Sequence, residues 1–191
     1  SKTSERFLRH ACKVMRRGSG YPSAFNSEAV FMEQLGMGKT VEDARTGGTS
    51  GCVETGSFGK EAYILHGYLN VPKIMELALN NGTDPLSGKR IGLETGAPQT
   101  FTCYEEFYQA FEKQLHYVVD TKIRTDNYIQ RMFARHAPAP YLSVLIHDCI
   151  EKGRDYYDGG PRYNTDYIQC CGIGTVTDSF SVLKKHVFEE K

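Results

Sequence analysis

Residues 47–61 read GGTSGCVETGSFGKE, and this stretch decides how the rest of the chain is interpreted. Five of the fifteen residues are glycine, and glycine permits backbone conformations and close ligand approaches that other residues forbid. A segment this rich in glycine is predicted to be a loop, and functional residues concentrate on loops held by a rigid scaffold. The stretch is therefore the first candidate for a functional site.

Cys52 and Glu54 lie two residues apart near the middle of this stretch. Side chains alternate between the two faces of an extended strand, so residues i and i+2 share one face. We therefore expect the sulfur and the carboxylate to point to the same side of an extended or turn segment, with Val53 pointing away.

A carboxylate beside a thiol narrows the chemistry that the pair can perform. A nucleophilic cysteine usually needs a histidine or another cation to form thiolate, and a neighbouring negative charge opposes that ionisation. A protonated thiol is a good hydrogen-atom donor, so the pair suits a thiyl radical that takes a hydrogen atom while the carboxylate moves a proton. The spacing equally allows a buried structural Cys52 with Glu54 in a salt bridge, because free cysteine is among the most buried residue types.

Several segments around this pair resemble glycyl radical enzymes, the pyruvate formate-lyase-like superfamily. The similarity is to the dehydratase and lyase branch, and it covers most of the chain. The segments that carry it are Gly51-Cys52-Val53-Glu54-Thr55-Gly56, Phe58-Gly59-Lys60-Glu61-Ala62-Tyr63, Gly67-Tyr68, Asn80-Asn81-Gly82, Asp148-Cys149-Ile150, Arg162-Tyr163-Asn164 and Gly172-Ile173-Gly174-Thr175.

The resemblance implies a fold and a place for this chain within it. The fold is a ten-stranded α/β barrel made of two half-barrels that enclose the active site. Residues 1–191 are then a helix-rich fragment of the barrel domain. No segment after Gly174 resembles the family's glycyl-radical motif, so that domain is expected to lie outside this chain, and the chain alone is expected to be inactive.

The resemblance also implies site residues, a cofactor and partners. Cys52 would carry the thiyl radical, Glu54 would transfer a proton, and Tyr68 would line the substrate pocket. No metal and no bound cofactor are implied. The glycyl radical would lie outside this chain and be installed by a radical-SAM activating enzyme, and a homodimer is expected.

The implied reaction is the elimination of water from a small hydroxylated substrate. Hydroxyproline is favoured because residues 58–63 resemble that subgroup best, and choline or another small alcohol is the alternative. An inactive homologue of the same fold is a further alternative, which an intact Cys52 and Glu54 argue against. His66 stands where the relatives carry threonine, which leaves the exact substrate open.

Composition excludes some other functions. Lysine plus arginine and aspartate plus glutamate each number 23, so the formal net charge is zero, which argues against a nucleic-acid or anionic membrane surface. No apolar run reaches the length of a membrane span, and from the polar start we expect no signal peptide. The six cysteines form no CxxC pair, which predicts free thiols in the cytoplasm.

Two further motifs are interpreted as structural. Residues 36–40, GMGKT, resemble part of a P-loop, but the pattern requires glycine at position 33, which is Glu33. We expect a helix end and a connector there, with no nucleotide site. His147, Asp148 and Cys149 are consecutive and would point to different faces of a helix, so they predict neither a metal site nor a nucleophile.

Hydrophobic spacing predicts mainly helices with short buried strands, an α/β class. Residues 4–17 are expected to form a helix with a core-facing stripe. The other predicted helices cover 28–35, 60–65, 68–80, 102–135 (with a Thr102–Glu105 capping box) and 142–152; a strand is predicted at 164–177, and a last helix after Asp178 or Ser179.

Overall fold

The computed structural model describes residues 3–18, 21 and 23–190, and the chain divides into two compact units, Ser1–Lys60 and Glu61–Lys191. The first unit has three helices followed by a short β-hairpin. Its elements are α1 (Glu5–Met15), α2 (Ser27–Gly36), α3 (Val41–Arg45), β1 (Gly48–Ser50) and β2 (Glu54–Gly56).

Each helix of the first unit begins at a side-chain cap. The oxygens of Ser4, Asn26 and Thr40 accept hydrogen bonds from backbone amides of the first turn, which satisfies donors that a helix cannot pair internally. The helix predicted at 4–17 is confirmed, but its core-facing stripe is wrong. No residue of α1 is buried, and Phe7 is 63% exposed, because helical spacing creates an apolar stripe without deciding what covers it.

The second unit contains two long strands separated by four helices. Its elements are β3 (Glu61–Asn70), α4 (Val71–Leu79), a 3₁₀ turn (Pro98–Thr100), α5 (Tyr104–His136), α6 (Pro140–Val144), α7 (His147–Lys152), β4 (Tyr163–Cys171), α8 (Ile173–Leu183) and a π-helical turn (Lys184–Glu189). β3 and β4 pair in parallel, and parallel neighbours need a long crossover connection, which the intervening helices provide.

The main hydrophobic core of the second unit lies between the end of β3 and three helices. Its members come from β3, α4, α5 and α8, and they are almost completely excluded from solvent. They are Leu69, Val71, Ile74, Met75, Ala78, Phe107, Phe111 and Val176. The core thus fixes the α4 and α5 helices against the strand that leads to them.

The prediction of a helix at residues 60–65 is wrong, because these residues begin β3. A short apolar run fits a buried strand as well as a helix, and the pairing partner that decides the matter lies about 100 residues away, at Tyr163 and beyond. The helix predicted at 68–80 also begins later, at Val71, where the Asn70 side chain accepts a bond from the Lys73 amide. Tyr68 therefore lies on a strand.

Other boundaries also shift. The helix predicted at 142–152 is two short helices, α6 and α7, and the strand predicted at 164–177 ends at Cys171. There Gly172 adopts φ +80° and α8 begins, several residues before the predicted caps. The predicted Thr102–Glu105 capping box is wrong. The partner of Thr102 is Glu106, whose Oε2 accepts a hydrogen bond from the Thr102 amide at 2.7 Å.

In the described part of the chain, no helix combines the length and the apolar character needed to cross a membrane.

Candidate active site

Cys52 lies at the tip of the hairpin in the first unit. β1 and β2 are antiparallel, with Ser50 opposite Glu54, and Gly51-Cys52-Val53 joins them. Gly51 has φ +57°, a left-handed conformation that favours glycine. Of the two backbone forms allowed by the sequence, extended or turn, the structure has the turn, and Cys52 is exposed in it.

The Glu54 carboxylate folds back over this turn. Its Oε2 accepts hydrogen bonds from the backbone amides of Cys52, at 2.8 Å, and Val53, at 3.2 Å. A Cβ atom at Gly51 would lie 2.5 Å from the same oxygen, so the turn and the carboxylate position require glycine there. The carboxylate is therefore held against the backbone of Cys52.

The same contacts tune the acidity of Glu54. Hydrogen bonds from its own backbone amide and then from the Cys52 amide lower the pKa of the Glu54 carboxyl group, and burial opposes them only in part. Hydrogen bonds to the charged form favour that form. The Glu54 carboxyl group is therefore ionised at neutral pH.

The base of the hairpin is anchored by a buried polar side chain on α2. The Gln34 side chain is completely buried; its Nε2 donates to the Ala44 carbonyl at 3.5 Å, and its Oε1 lies 3.2 Å from the Ser57 hydroxyl. One residue earlier on the same helix, Glu33 accepts a hydrogen bond from the Thr55 hydroxyl at 3.0 Å. Hydrogen bonds from Thr55 and Ser57, the residues on either side of Gly56, therefore hold the end of β2 against α2.

An ion pair with a buried carboxylate completes this anchor. Lys60, just after the hairpin, pairs with Asp43 of α3, whose side chain is 2% exposed. The Ser57 hydroxyl also lies 3.2 Å from the Asp43 carbonyl oxygen. Because a buried charge is costly without a partner, this pair fixes where the hairpin joins the helices.

We predict that Gly47→Ala destabilises the hairpin. A Cβ atom at Gly47 would lie 2.6 and 2.8 Å from the two terminal atoms of the Gln34 amide and would also clash with the Gly56 carbonyl. Overpacking of this kind costs about 1–3 kcal/mol. Thermal unfolding of the full-length protein should show a lower Tm than wild type. The matched control is Gly36→Ala, where no atom lies within 4 Å; equal Tm values for both variants would contradict the prediction.

Tyr68, the predicted substrate-binding residue, lies on β3 in the second unit and is 65% exposed. The pairing register of β3 with β4 changes between Leu65 and Tyr68, so Tyr68 is the first paired residue after the change. The sequence-based argument missed this irregularity and the charged side chains around it. The available signal was Gly67 within an apolar run, because an isolated glycine in a strand suggests a bulge.

The structure places His147, Asp148 and Cys149 on the short helix α7 and residues 36–40 at the end of α2. Cys149 is buried, and burial raises the pKa of its thiol, while Asp148 accepts from Arg162 Nε at 3.2 Å. Residues 36–40 form the end of α2 and a connector in which Lys39 is buried. Among the residues that the structure describes, no three histidine, cysteine, aspartate or glutamate side chains cluster to hold a metal ion.

The chain combines a parallel strand pair connected by helices with a glycine-rich hairpin that carries Cys52. The chain belongs to the pyruvate formate lyase-like family, whose match spans residues 1–191. The predicted resemblance to glycyl radical enzymes is confirmed, and so is the fold class: the chain is a helix-rich fragment of their α/β barrel.

Individual relatives are similar over the whole of this chain. It is 57% identical to trans-4-hydroxy-L-proline dehydratase of Clostridioides difficile over 190 residues, which cover 100% of the chain. It also superposes on hydroxyproline dehydratase from that organism, solved with trans-4-hydroxy-L-proline bound, with a TM-score of 0.91, 56% identity and 100% coverage. The glycerol-bound B12-independent glycerol dehydratase from Clostridium butyricum gives a TM-score of 0.87, 36% identity and 100% coverage. The chain spans 24% of the length of each of these relatives.

Proposed function

We propose that the protein containing this chain is a glycyl radical dehydratase, a carbon–oxygen lyase that eliminates water from trans-4-hydroxy-L-proline. The observation that carries the proposal is the Cys52–Glu54 hairpin, in which an ionised carboxylate is bonded to the backbone of an exposed cysteine. The 57% identity to a hydroxyproline dehydratase supports this substrate over others.

In this proposal residues 1–191 are part of the barrel domain, and the glycyl radical lies outside them. That radical, installed by a radical-SAM activating enzyme, would supply the unpaired electron by taking the hydrogen atom from the Cys52 thiol. Cys52 fits this role because it lies exposed at a hairpin tip, where a second segment can reach it. The Tyr68 side chain would line the substrate pocket.

The chain's own residues would then act in two ways. The Cys52 sulfur takes a hydrogen atom from a substrate carbon next to the one that bears the hydroxyl, forming an S–H bond and leaving the unpaired electron on the substrate. Glu54 accepts a proton from the substrate and passes it to the departing hydroxyl, which leaves as water. Cys52 finally returns its hydrogen atom to the product, so no external oxidant or reductant is consumed.

The lowered pKa of Glu54 fits the first half of its role. A group that must accept a proton has to be ionised beforehand. Hydrogen bonds from the backbone amide of Glu54 and then from that of Cys52 lower its pKa and favour the ionised form, while they also make the carboxylate a weaker base. The same amides are fixed by the hairpin, so the carboxylate needs no reorganisation before reaction.

The substrate assignment is tested with the full-length enzyme, activated anaerobically by its radical-SAM partner. We expect turnover of trans-4-hydroxy-L-proline and a much lower kcat/KM with choline or glycerol, measured by mass spectrometry of the products. A higher kcat/KM with choline would replace this function with the amine-eliminating alternative. Absence of turnover with every small alcohol, despite a full glycyl radical signal, would support the inactive homologue.

We propose a homodimer and a reducing compartment, the cytoplasm, for the whole enzyme. All six cysteines are free thiols in the structure, and disulfides are rare in a reducing cytoplasm. Size-exclusion chromatography with light scattering tests the dimer.

A further inference from the structure

The pairing of β3 with β4 contains one extra residue on β3. Leu65 lies opposite Tyr167, whereas Tyr68 lies opposite Gln169. Between these pairs β3 has two residues and β4 has one, which defines a β-bulge. Bulges often lie next to active sites, where they change the direction of a side chain.

The bulge decides which face of the strand carries Tyr68. Tyr167 and Gln169 are two apart and share one face, so Leu65 and Tyr68, their partners, share that face too. Both are exposed, by 43% and 65%, whereas the next residue, Leu69, is 6% exposed and lies in the core. Strict alternation from Leu65 would instead turn Tyr68 into the core and Leu69 out of it.

A lysine from α5 holds the bulge. Lys122 Nζ donates a hydrogen bond to the His66 carbonyl at 2.5 Å, inside the bulge itself. The next residue, Gly67, has φ +92°, a conformation that requires glycine. Asp126, one turn further along α5, lies 3.1 Å from the same ammonium group through its Oδ2. The helix thus fixes the backbone of the strand at the irregular position.

The His66 imidazole connects this helix contact to the neighbouring strand. Its Nε2 lies 3.2 Å from Asp166 Oδ1 on β4, and its Nδ1 lies 3.9 Å from Asp126 Oδ1 on α5. The His66 and Asp126 side chains are 5% and 11% exposed, and Lys122 is 17% exposed. Lys122 and Asp126 are charged and poorly solvated, so each depends on the other for compensation. Through the Lys122 bond to the His66 carbonyl, the pair holds α5 against β3 at the bulge.

We propose that Lys122, supported by Asp126 and His66, is a positioning residue that maintains the bulge and so sets the face on which Tyr68 meets the substrate. The proposal rests on the proposed function, because it takes Tyr68 as part of the substrate pocket. Lys122 itself does not touch the substrate; it acts through the backbone of His66 and Gly67.

The first test is Lys122→Met in the full-length, activated enzyme. Methionine keeps an unbranched side chain but cannot donate to the His66 carbonyl. We expect kcat/KM for hydroxyproline to fall on the order of 100-fold, mainly through KM, because a displaced positioning group has effects of that size. The glycyl radical yield should stay unchanged. Lys122→Arg, which keeps a donor, should recover most of the loss, and Lys113→Met, at an exposed lysine of the same helix, should behave as wild type.

A double-mutant cycle with Tyr68→Ala separates positioning from a general structural effect. If Lys122 acts through Tyr68, Lys122→Met should cause no further loss once the Tyr68 side chain is absent, because coupled residues are not additive. Fully additive losses, or wild-type KM in Lys122→Met, would overturn the proposal. If Lys122→Met yields no folded enzyme, Asp126→Asn, which removes the carboxylate charge that holds the Lys122 ammonium group, replaces it in the same cycle.

Crystal structures keep the test independent of the substrate. In Lys122→Met we expect the register after Leu65 to change and Tyr68 to move from its exposed face. An unchanged bulge and Tyr68 would overturn the proposal whatever the enzyme turns over. If the wild-type enzyme had no activity on hydroxyproline, only the proposed function would be refuted. The role of Lys122 in maintaining the bulge would still be decided by comparing the crystal structures of the wild type and Lys122→Met.

Discussion

Cys52→Ser in the full-length enzyme is expected to abolish turnover while leaving glycyl radical formation intact. Serine is nearly the same size as cysteine, and position 52 is an exposed turn residue, so the hairpin should survive. The serine O–H bond is too strong for a glycyl radical to break, so no radical can be relayed to the substrate. Activation under anaerobic conditions, EPR quantification of the radical and a product assay measure the two effects separately.

The matched control for this prediction is Cys12→Ser, because Cys12 is also exposed but lies on α1. It should keep both radical and turnover. Wild-type turnover in Cys52→Ser would end the radical-relay interpretation. Loss of the EPR signal in Cys52→Ser would contradict the expectation that Cys52 acts after the glycyl radical is installed.

Glu54→Gln is expected to remove most turnover by a different route. Glutamine keeps the shape, and its carbonyl can still accept from the amides that now bind Oε2 of Glu54, at Cys52 and Val53. It cannot accept a proton, however, and loss of general acid–base assistance lowers rates by roughly 100- to 10,000-fold. The variant should therefore form the radical and bind substrate, yet release little product.

Hydrogen exchange in deuterated water distinguishes the two roles. If hydrogen abstraction precedes proton transfer, Glu54→Gln should still introduce deuterium into recovered hydroxyproline through the Cys52 thiol, and Cys52→Ser should not. Glu42→Gln, at an exposed glutamate of α3, serves as the control with normal turnover. Full activity in Glu54→Gln would show that Glu54 takes no part in the mechanism, and it would not contradict the radical relay through Cys52.

The candidate site could be located from sequence because its signal is local. The glycines around Cys52 and Glu54 predicted a loop, and the short turn that they form depends on residues within a few positions of one another. Helix caps are local for the same reason: the Asn26 and Thr40 side chains accept from backbone amides two or three residues ahead, at the starts of α2 and α3. Even the long helix α5 follows from its own apolar repeat, and its end at His136 lies one residue from the prediction.

The sequence by itself determined the family, the helix-rich α/β class and the Cys52–Glu54 pair. Only the tertiary structure decided that residues 61–70 form a strand, because their pairing partners begin at Tyr163 and a short apolar run has no periodicity that separates strand from helix. The face that carries Tyr68 was likewise decided by distant groups, through a one-residue bulge that Lys122 of α5 contacts. Neighbouring residues cannot encode such contacts, because the energy that selects the conformation comes from side chains that meet only after the chain has folded.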